Sequence, residues 1–249
     1  MSGHSKWATT KHRKGAVDKA RGKLFAKLIR QVEVAAREGG GDINSNATLR
    51  AMFNKARSAS VPLDTIEKAI KRGTGQLEGV RYEAVAYEGY APEGVAVIVE
   101  CLTDNRNRTS SDVRTIFARN GGSLAEPGAV SWQFERKGVI TVERSVAEDD
   151  LMSAGLDNGA EDIRDEGEEW MVVSDPTDLN SLRTGLEDAG INVRSAELQM
   201  LPTTTVAVTD ESGARKVLRV IDLLEDLDDV QIVYTNFDIP DEVLERVEV

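Results

Sequence analysis

Residues 138–202 read GVITVERSVAEDDLMSAGLDNGAEDIRDEGEEWMVVSDPTDLNSLRTGLEDAGINVRSAELQMLP. Val139 to Val142 and Trp170 to Val173 are short apolar runs rich in β-branched residues, the length and chemistry of strands. Stretches of helical period separate them from two further strands. The order is strand, helix, strand, strand, helix, strand, and that βαββαβ succession is the ferredoxin-like one.

Outward from this unit the periods alternate between strand and helix. Upstream, Val95-Ala96-Val97-Ile98-Val99 is a continuous apolar run and reads as a central strand buried on both faces. A helix follows, with Val113, Ile116 and Phe117 inward and Gly121-Gly122 at its end. Val130, Trp132 and Phe134 then alternate with Ser131, Gln133 and Glu135, as in a half-buried strand. Downstream come a strand around Val206 to Val208, a helix with Val217, Val220, Ile221 and Leu224 on one face, and a strand from Val230 to Tyr234. The periods do not say which of these distant strands pair.

Residues 23–78 read as all-helical. Leu24, Phe25, Leu28, Val32, Ala35 and Ala36 share one arc at 100° per residue, with Lys23, Lys27, Arg30 and Arg37 opposite. Gly39-Gly40-Gly41 stops this helix. A second starts near Ser45 or Asn46 and carries Leu49, Met52, Phe53 and Ala56. A third starts near Pro62 and carries Leu63, Ile66 and Ile70 before Gly73. None can bury its stripe alone, so the three form a bundle. Residues 1–22 are basic and poor in large apolar groups, and a mobile arm is expected there.

The formal net charge of −12 argues against a polyanionic partner until its distribution is read. Residues 1–75 hold sixteen Lys and Arg against six Asp and Glu, a net of +10. The rest hold fifteen against thirty-seven, a net of −22. One end is drawn to phosphate and the other repelled by it. Within residues 1–30 the cations are Lys6, Lys11, Arg13, Lys14, Lys19, Arg21, Lys23, Lys27 and Arg30, and Asp18 is the only acid. The cations continue from the arm onto one helix face and so form a stripe. Trp7 sits among them, where it either stacks on a base or packs back onto the body. Arg106 and Arg108 precede the helix of Val113 and Phe117, at an end that is already partly positive. Either a phosphate joins them there, or they pair with neighbouring carboxylates and Thr109 or Ser110 is an ordinary N-cap.

Catalysis has little to stand on. The two histidines, His4 and His12, both fall in the arm, where a general base is not held against a partner. The glycine-rich stretches follow helices and lack the strand–loop–helix order of a phosphate cradle. Glu225, Asp226, Asp228 and Asp229 lack the spacing of a calcium loop and read as a solvated helix end. No enzyme activity, metal, cofactor or small-molecule substrate is expected. Cys101, the single cysteine, reads as a buried inert thiol. No stretch approaches the roughly 18 apolar residues of a membrane span, and no apolar segment follows the first cations. A cytoplasmic protein without a membrane partner is the expectation.

Several stretches together resemble the YebC/PmpR family: Gly3-His4-Ser5-Lys6-Trp7, Lys11-His12-Arg13-Lys14, Arg21-Gly22-Lys23-Leu24-Phe25, and Thr103-Asp104-Asn105-Arg106-Asn107-Arg108-Thr109. Gly121-Gly122, the Ser131 to Gly138 strand and the segment Asp226 to Asp238 match as well. The chain departs from the family pattern at Thr9-Thr10 and at Ala91-Pro92-Glu93-Gly94, neither of which touches the cations. The resemblance implies an α+β, multidomain fold: an N-terminal helical bundle (23–78) and two α+β domains. Residues 79–136 fold with 203–249, and the ferredoxin-like unit, 137–202, is inserted between them. The joining of the two outer segments is implied by the resemblance alone. It also implies a DNA-binding transcriptional regulator, in a family that includes mitochondrial translational activators. Ribosomal RNA, bound by a ribosome-associated translation factor, is the alternative target. A pure interaction scaffold is a third reading. No functional residue set comes with the resemblance, so the candidate nucleic-acid contacts remain the cations named above, with Trp7.

Overall fold

The computed structural model describes residues 17–247, with side chains from Arg21 onward. It is α+β and multidomain, a helical bundle plus two α+β domains, the ferredoxin-like one inserted in the other.

Helices α1 (Val17–Gly39), α2 (Ala47–Ser58) and α3 (Leu63–Gly73) form the bundle. Helix α1 begins at Val17, six residues earlier than the apolar stripe indicates, so the end of the expected arm is helical and Gly22 lies within a helix. The rest of that arm, residues 1–16, lies outside the described residues. Leu28, Val32, Ala35 and Ala36 meet Leu49, Ala56, Val61, Ile66 and Ala69 in the bundle core. Leu24, placed inward by the period, is 46% exposed, while Phe25 beside it packs against the bundle core. Asn46 is the N-cap of α2: its Oδ1 accepts from the Leu49 amide at 3.0 Å, and its Nδ2 donates to the Ala35 and Gly40 carbonyls. One buried side chain thus satisfies the end of α1 and the start of α2 together. Helices α1 and α3 approach closely at Gly73, where a Cβ would collide with the Glu33 carbonyl oxygen and reach 2.9 Å from the Ala36 Cβ.

The first α+β domain is built on the sheet order β3-β1-β2-β9. Its strands are β1 (Glu83–Tyr90), β2 (Ala96–Thr103), β3 (Ser123–Leu124) and β9 (Val230–Thr235). Strand β2 is central and covered on both faces, as its unbroken apolar run requires. Val97, Val99 and Cys101 face α4 (Arg106–Arg119) and α7 (Glu211–Glu225), while Ala96 and Ile98 face Val130, Phe134 and Tyr234. Helix α7 inserts Val217, Leu218, Val220, Ile221 and Leu224, and burial stabilises each by roughly 1.5–3 kcal/mol. Asp210 caps it by accepting from the Gly213 amide at 2.9 Å. Strands β2 and β9 pair antiparallel, Val97 opposite Thr235, so residues before and after the inserted unit share one sheet. Strands β8 (Val206–Ala207) and β10 (Phe237–Asp238) pair in parallel beside it, and α8 (Asp241–Arg246) packs on α7.

The inserted unit comprises β4 (Phe134–Glu143), α5 (Glu148–Asp157), β5 (Ala160–Asp165), β6 (Glu169–Ser174), α6 (Leu179–Asp188) and β7 (Val193–Pro202). The sheet order is β5-β6-β4-β7, all antiparallel. Ile140, Val142, Trp170 and Val172 pack against Leu151, Leu179, Leu182 and Leu186 of the two helices. The expected strand around Val130 and Trp132 is not formed. Ser131–Gln133 is a 3-10 turn and Trp132 is 70% exposed. The Glu88 carboxylate takes the Gly128, Val130 and Ser131 amides instead, which removes them from any ladder. From Phe134 one unbroken strand then runs from the first domain into the second.

Candidate nucleic-acid interface

The polar face of α1 does not look into solvent along its whole length. It lies on the acidic turn that joins α7 to β9. Lys23 Nζ is 2.7 Å from Asp226 Oδ1 and 3.1 Å from the Asp226 carbonyl oxygen. Lys27 Nζ donates to the Glu225 carbonyl at 2.9 Å. Arg30 Nη1 is 2.9 Å from Asp229 Oδ1 and donates also to the Asp228 carbonyl. The Arg30 guanidinium lies 5.2 Å from the centre of the Tyr82 ring, and Gln31 meets Gln231 at 3.2 Å. The spacing 23, 27, 30 is one helix face, and the turn 225–229 supplies the carbonyls and carboxylates that receive it.

Asp229 is the centre of this contact. Its Oδ1 takes Arg30, while its Oδ2 takes the Thr103 hydroxyl at 3.1 Å, the Thr109 hydroxyl at 2.8 Å and Arg108 Nη2 at 2.8 Å. Asn105 is the N-cap of α4, accepting from the Arg108 amide, so Arg106 and Arg108 lie inside the first turn. Thr109, read as a possible cap, is buried and bonded to Asp229. Burial alone pushes the Asp229 carboxyl up. The hydrogen bonds of Arg108 and Thr109, with the charges of Arg108 and Arg30, outweigh it and hold the group below the ordinary carboxylate value. The Arg108 guanidinium is raised in turn, by its hydrogen bonds to Asp229 and to Asp104 at 2.8 Å. The acidic cluster read as a solvated helix end is therefore the docking face of α1. Among the described residues, no three of His, Cys, Asp or Glu are grouped to hold a metal ion. The Cys101 thiol is buried and pushed up to about 12, first by burial and then by the charge of Asp229.

The sequence-read cations thus fall into separate places. Lys6, Trp7, Lys11, Arg13 and Lys14 lie outside the described residues, as do His4 and His12. Lys19 is in α1, but its side chain lies outside the described ones. Arg21 is exposed, with its guanidinium 5.3 Å from the Phe25 ring centre. Lys23, Lys27 and Arg30 dock on the turn, and Arg108 pairs with carboxylates as the plainer of the two readings had it. Arg106 is exposed, and its backbone carbonyl accepts from the Tyr87 hydroxyl at 3.1 Å.

Helix α2 presents cations that sequence reasoning passed over. Arg50 and Arg57 are exposed and make no ion pair among the described residues, while Lys55 reaches Glu197 of β7 at 2.8 Å. A signal was available. Residues 43–63 contain no Asp or Glu, in a chain where those two make up 43 of 249 residues. The local lack of negative charge, rather than a density of positive charge, marks this helix.

The TACO1/YebC protein N-terminal domain model matches residues 5–76, and the TACO1/YebC second and third domain model matches residues 82–237. A Beutenbergia cavernae protein named a probable transcriptional regulatory protein is 58% identical, covering 100% of this chain and 99% of its own. A Streptomyces coelicolor protein of the same name is 56% identical over the whole of both chains. The crystal structure of a conserved hypothetical protein from Aquifex aeolicus, 46% identical, superposes with a TM-score of 0.85. That match covers 93% of this chain and 96% of the other. No helix among the described residues is long and apolar enough to cross a membrane.

Proposed function

Because the chain belongs to the TACO1/YebC family, with bacterial relatives named probable transcriptional regulatory proteins, we propose that it is a non-enzymatic, cytoplasmic regulator of gene expression that binds DNA. The observation that carries this reading is the segregation of charge, +10 in residues 1–75 against −22 in the remainder. The acidic turn holds Lys23, Lys27 and Arg30, so the phosphate contacts are assigned to Lys6, Lys11, Arg13, Lys14, Lys19 and Arg21 ahead of them. Each cation that displaces a condensed counterion adds about 0.9 to the salt exponent of binding. The acidic body is repelled by the same phosphates and so orients the basic end toward them.

The test is duplex affinity, measured by fluorescence anisotropy across a salt series. The intact protein is expected to bind a duplex at physiological salt, and charge reversal at Lys11, Arg13 and Lys14 to abolish that binding. Cosedimentation with ribosomes that is lost on the same reversal, without duplex binding, would replace DNA by ribosomal RNA.

A further inference from the structure

We infer that α2 is the helix that meets the duplex, with Arg50 and Arg57 on its phosphates and Asn54 turned toward its base edges. This rests on the DNA-binding reading above and names the part of the surface that carries it.

The helix has three sides, fixed by what each touches. Leu49 and Ala56 are buried in the bundle, with Met52 and Phe53 packed beside them. At 100° per residue Lys55 lies a quarter turn from that stripe, and its ion pair with Glu197 assigns this flank to the inserted domain. Arg50 and Arg57 fall on the opposite flank, both exposed and without an ion pair among the described residues. Between the two flanks the outward arc carries Ala47, Ala51, Asn54 and Ser58, all exposed.

That composition is unusual for a solvated face of this chain. A helix exposed only to water has no need to avoid carboxylates, and the other surface helices do not. Helix α5 begins with Glu148, Asp149 and Asp150, and α3 carries Asp64 and Glu67. Helix α2 has none, in agreement with an anionic partner. The small side chains at positions 47, 51 and 58 allow close approach. Asn is a residue type that can pair with adenine in two hydrogen bonds. Arg50 and Arg57 are separated by about 10 Å along the axis, so they address two points of one phosphate strand. The major groove of B-DNA admits an α-helix, whereas the narrow major groove of A-form RNA does not, and the face is therefore assigned to duplex DNA.

The helix is also held rigidly enough to present such a face. Asn46 locks its first turn to the end of α1. The buried Glu33 takes Arg37 at 3.2 Å and Arg72 at 2.9 Å, tying α1 to the end of α3.

The experiment uses the full chain, a labelled DNA duplex and a structured RNA hairpin as probes, and anisotropy at several salt concentrations. R50E/R57E is expected to weaken duplex binding by at least about tenfold. R50A/R57A is expected to lower the salt exponent by about 1.8. An unchanged thermal midpoint is expected for both, since neither side chain is buried. If R50E/R57E binds the duplex as the parent chain does, while reversal at Lys11, Arg13 and Lys14 abolishes binding, the assignment of α2 is overturned and DNA binding stands. A loss confined to the hairpin overturns it as well. If the parent chain itself fails to bind the duplex, the DNA-binding reading falls first.

Discussion

Arg30 Nη1 stands 2.9 Å from Oδ1 of Asp229, joining the middle of the first helix to a turn almost two hundred residues later in the chain. The other oxygen of the same carboxylate takes Arg108, Thr103 and Thr109. One side chain therefore fastens the bundle to the α+β domain and also anchors the first turn of α4. Removing it takes away the anion that Arg30 and Arg108 share, and the Thr103 and Thr109 hydroxyls lose an acceptor. Asp229→Ala is expected to cost about 2–4 kcal/mol, mostly the penalty of partners left uncompensated. The check is the midpoint of urea unfolding. A variant as stable as the parent would show that the contact is incidental.

The same carboxylate makes a pH prediction with a definite sign. Its folded-state value lies below the unfolded one of about 3.9. Its contribution is therefore fully present above about pH 4 and is lost as pH falls through the folded-state value. Neutral and mildly alkaline pH leave it unchanged. The expected result is a steeper fall of stability below about pH 4 in the parent chain than in Asp229→Asn, with parallel profiles above pH 5. Parallel profiles throughout would mean that Asp229 titrates alike folded and unfolded.

How much of this was legible in advance depends on the distance over which each signal acts. The βαββαβ order could be read because Val139 to Val142 and Trp170 to Val173 are apolar runs of strand length, and the stripe Leu179, Leu182 and Leu186 lies within a single helix. The pairing of Val97 with Thr235 could not, since nothing local to either strand names a partner so far along the chain. The stripe of Lys23, Lys27 and Arg30 was visible as a stripe, but its counterpart was not. A run of like charge calls for a polyanion and for an acidic patch of the same chain with equal force, and only the fold brings Asp226 and Asp229 beneath it. Trp132 was misplaced because alternation alone cannot register that Glu88 takes the amides that a strand would need.

Two glycines in the bundle are expected to respond in opposite senses to the same substitution. At Gly73 a methyl group would collide with the Glu33 carbonyl oxygen, backbone that cannot yield without moving α1. Gly73→Ala is expected to destabilise by about 1–3 kcal/mol, the usual cost of overpacking. At Gly22, within α1, a Cβ meets nothing within 4 Å. Gly22→Ala is expected to stabilise by about 0.5–1 kcal/mol, because alanine loses less conformational entropy on entering a helix. Thermal unfolding of the two variants reads the contrast directly, and equal midpoints would contradict the close approach of α1 and α3.

The docking of α1 also separates cations that bind DNA from cations that hold the protein together, although all of them belong to one basic run. Lys23 and Lys27 already sit on the oxygens of the acidic turn, so they are not available to displace the counterions condensed on an arriving duplex. Replacing both by Ala should leave the salt exponent of duplex binding unchanged. The Lys23–Asp226 pair is partly exposed, and its loss costs within about 1 kcal/mol of stability. Replacing Lys11 and Lys14 should instead lower the exponent by about 0.9 for each, with the thermal midpoint unmoved. Asp226→Asn supplies the converse, since it removes the anion beneath Lys23 and should raise the exponent toward that of a chain with one more available cation. If the Lys23 and Lys27 substitutions flatten the salt dependence as much as those at Lys11 and Lys14, then α1 lifts from the turn when DNA binds, and the docked arrangement belongs to the free protein alone.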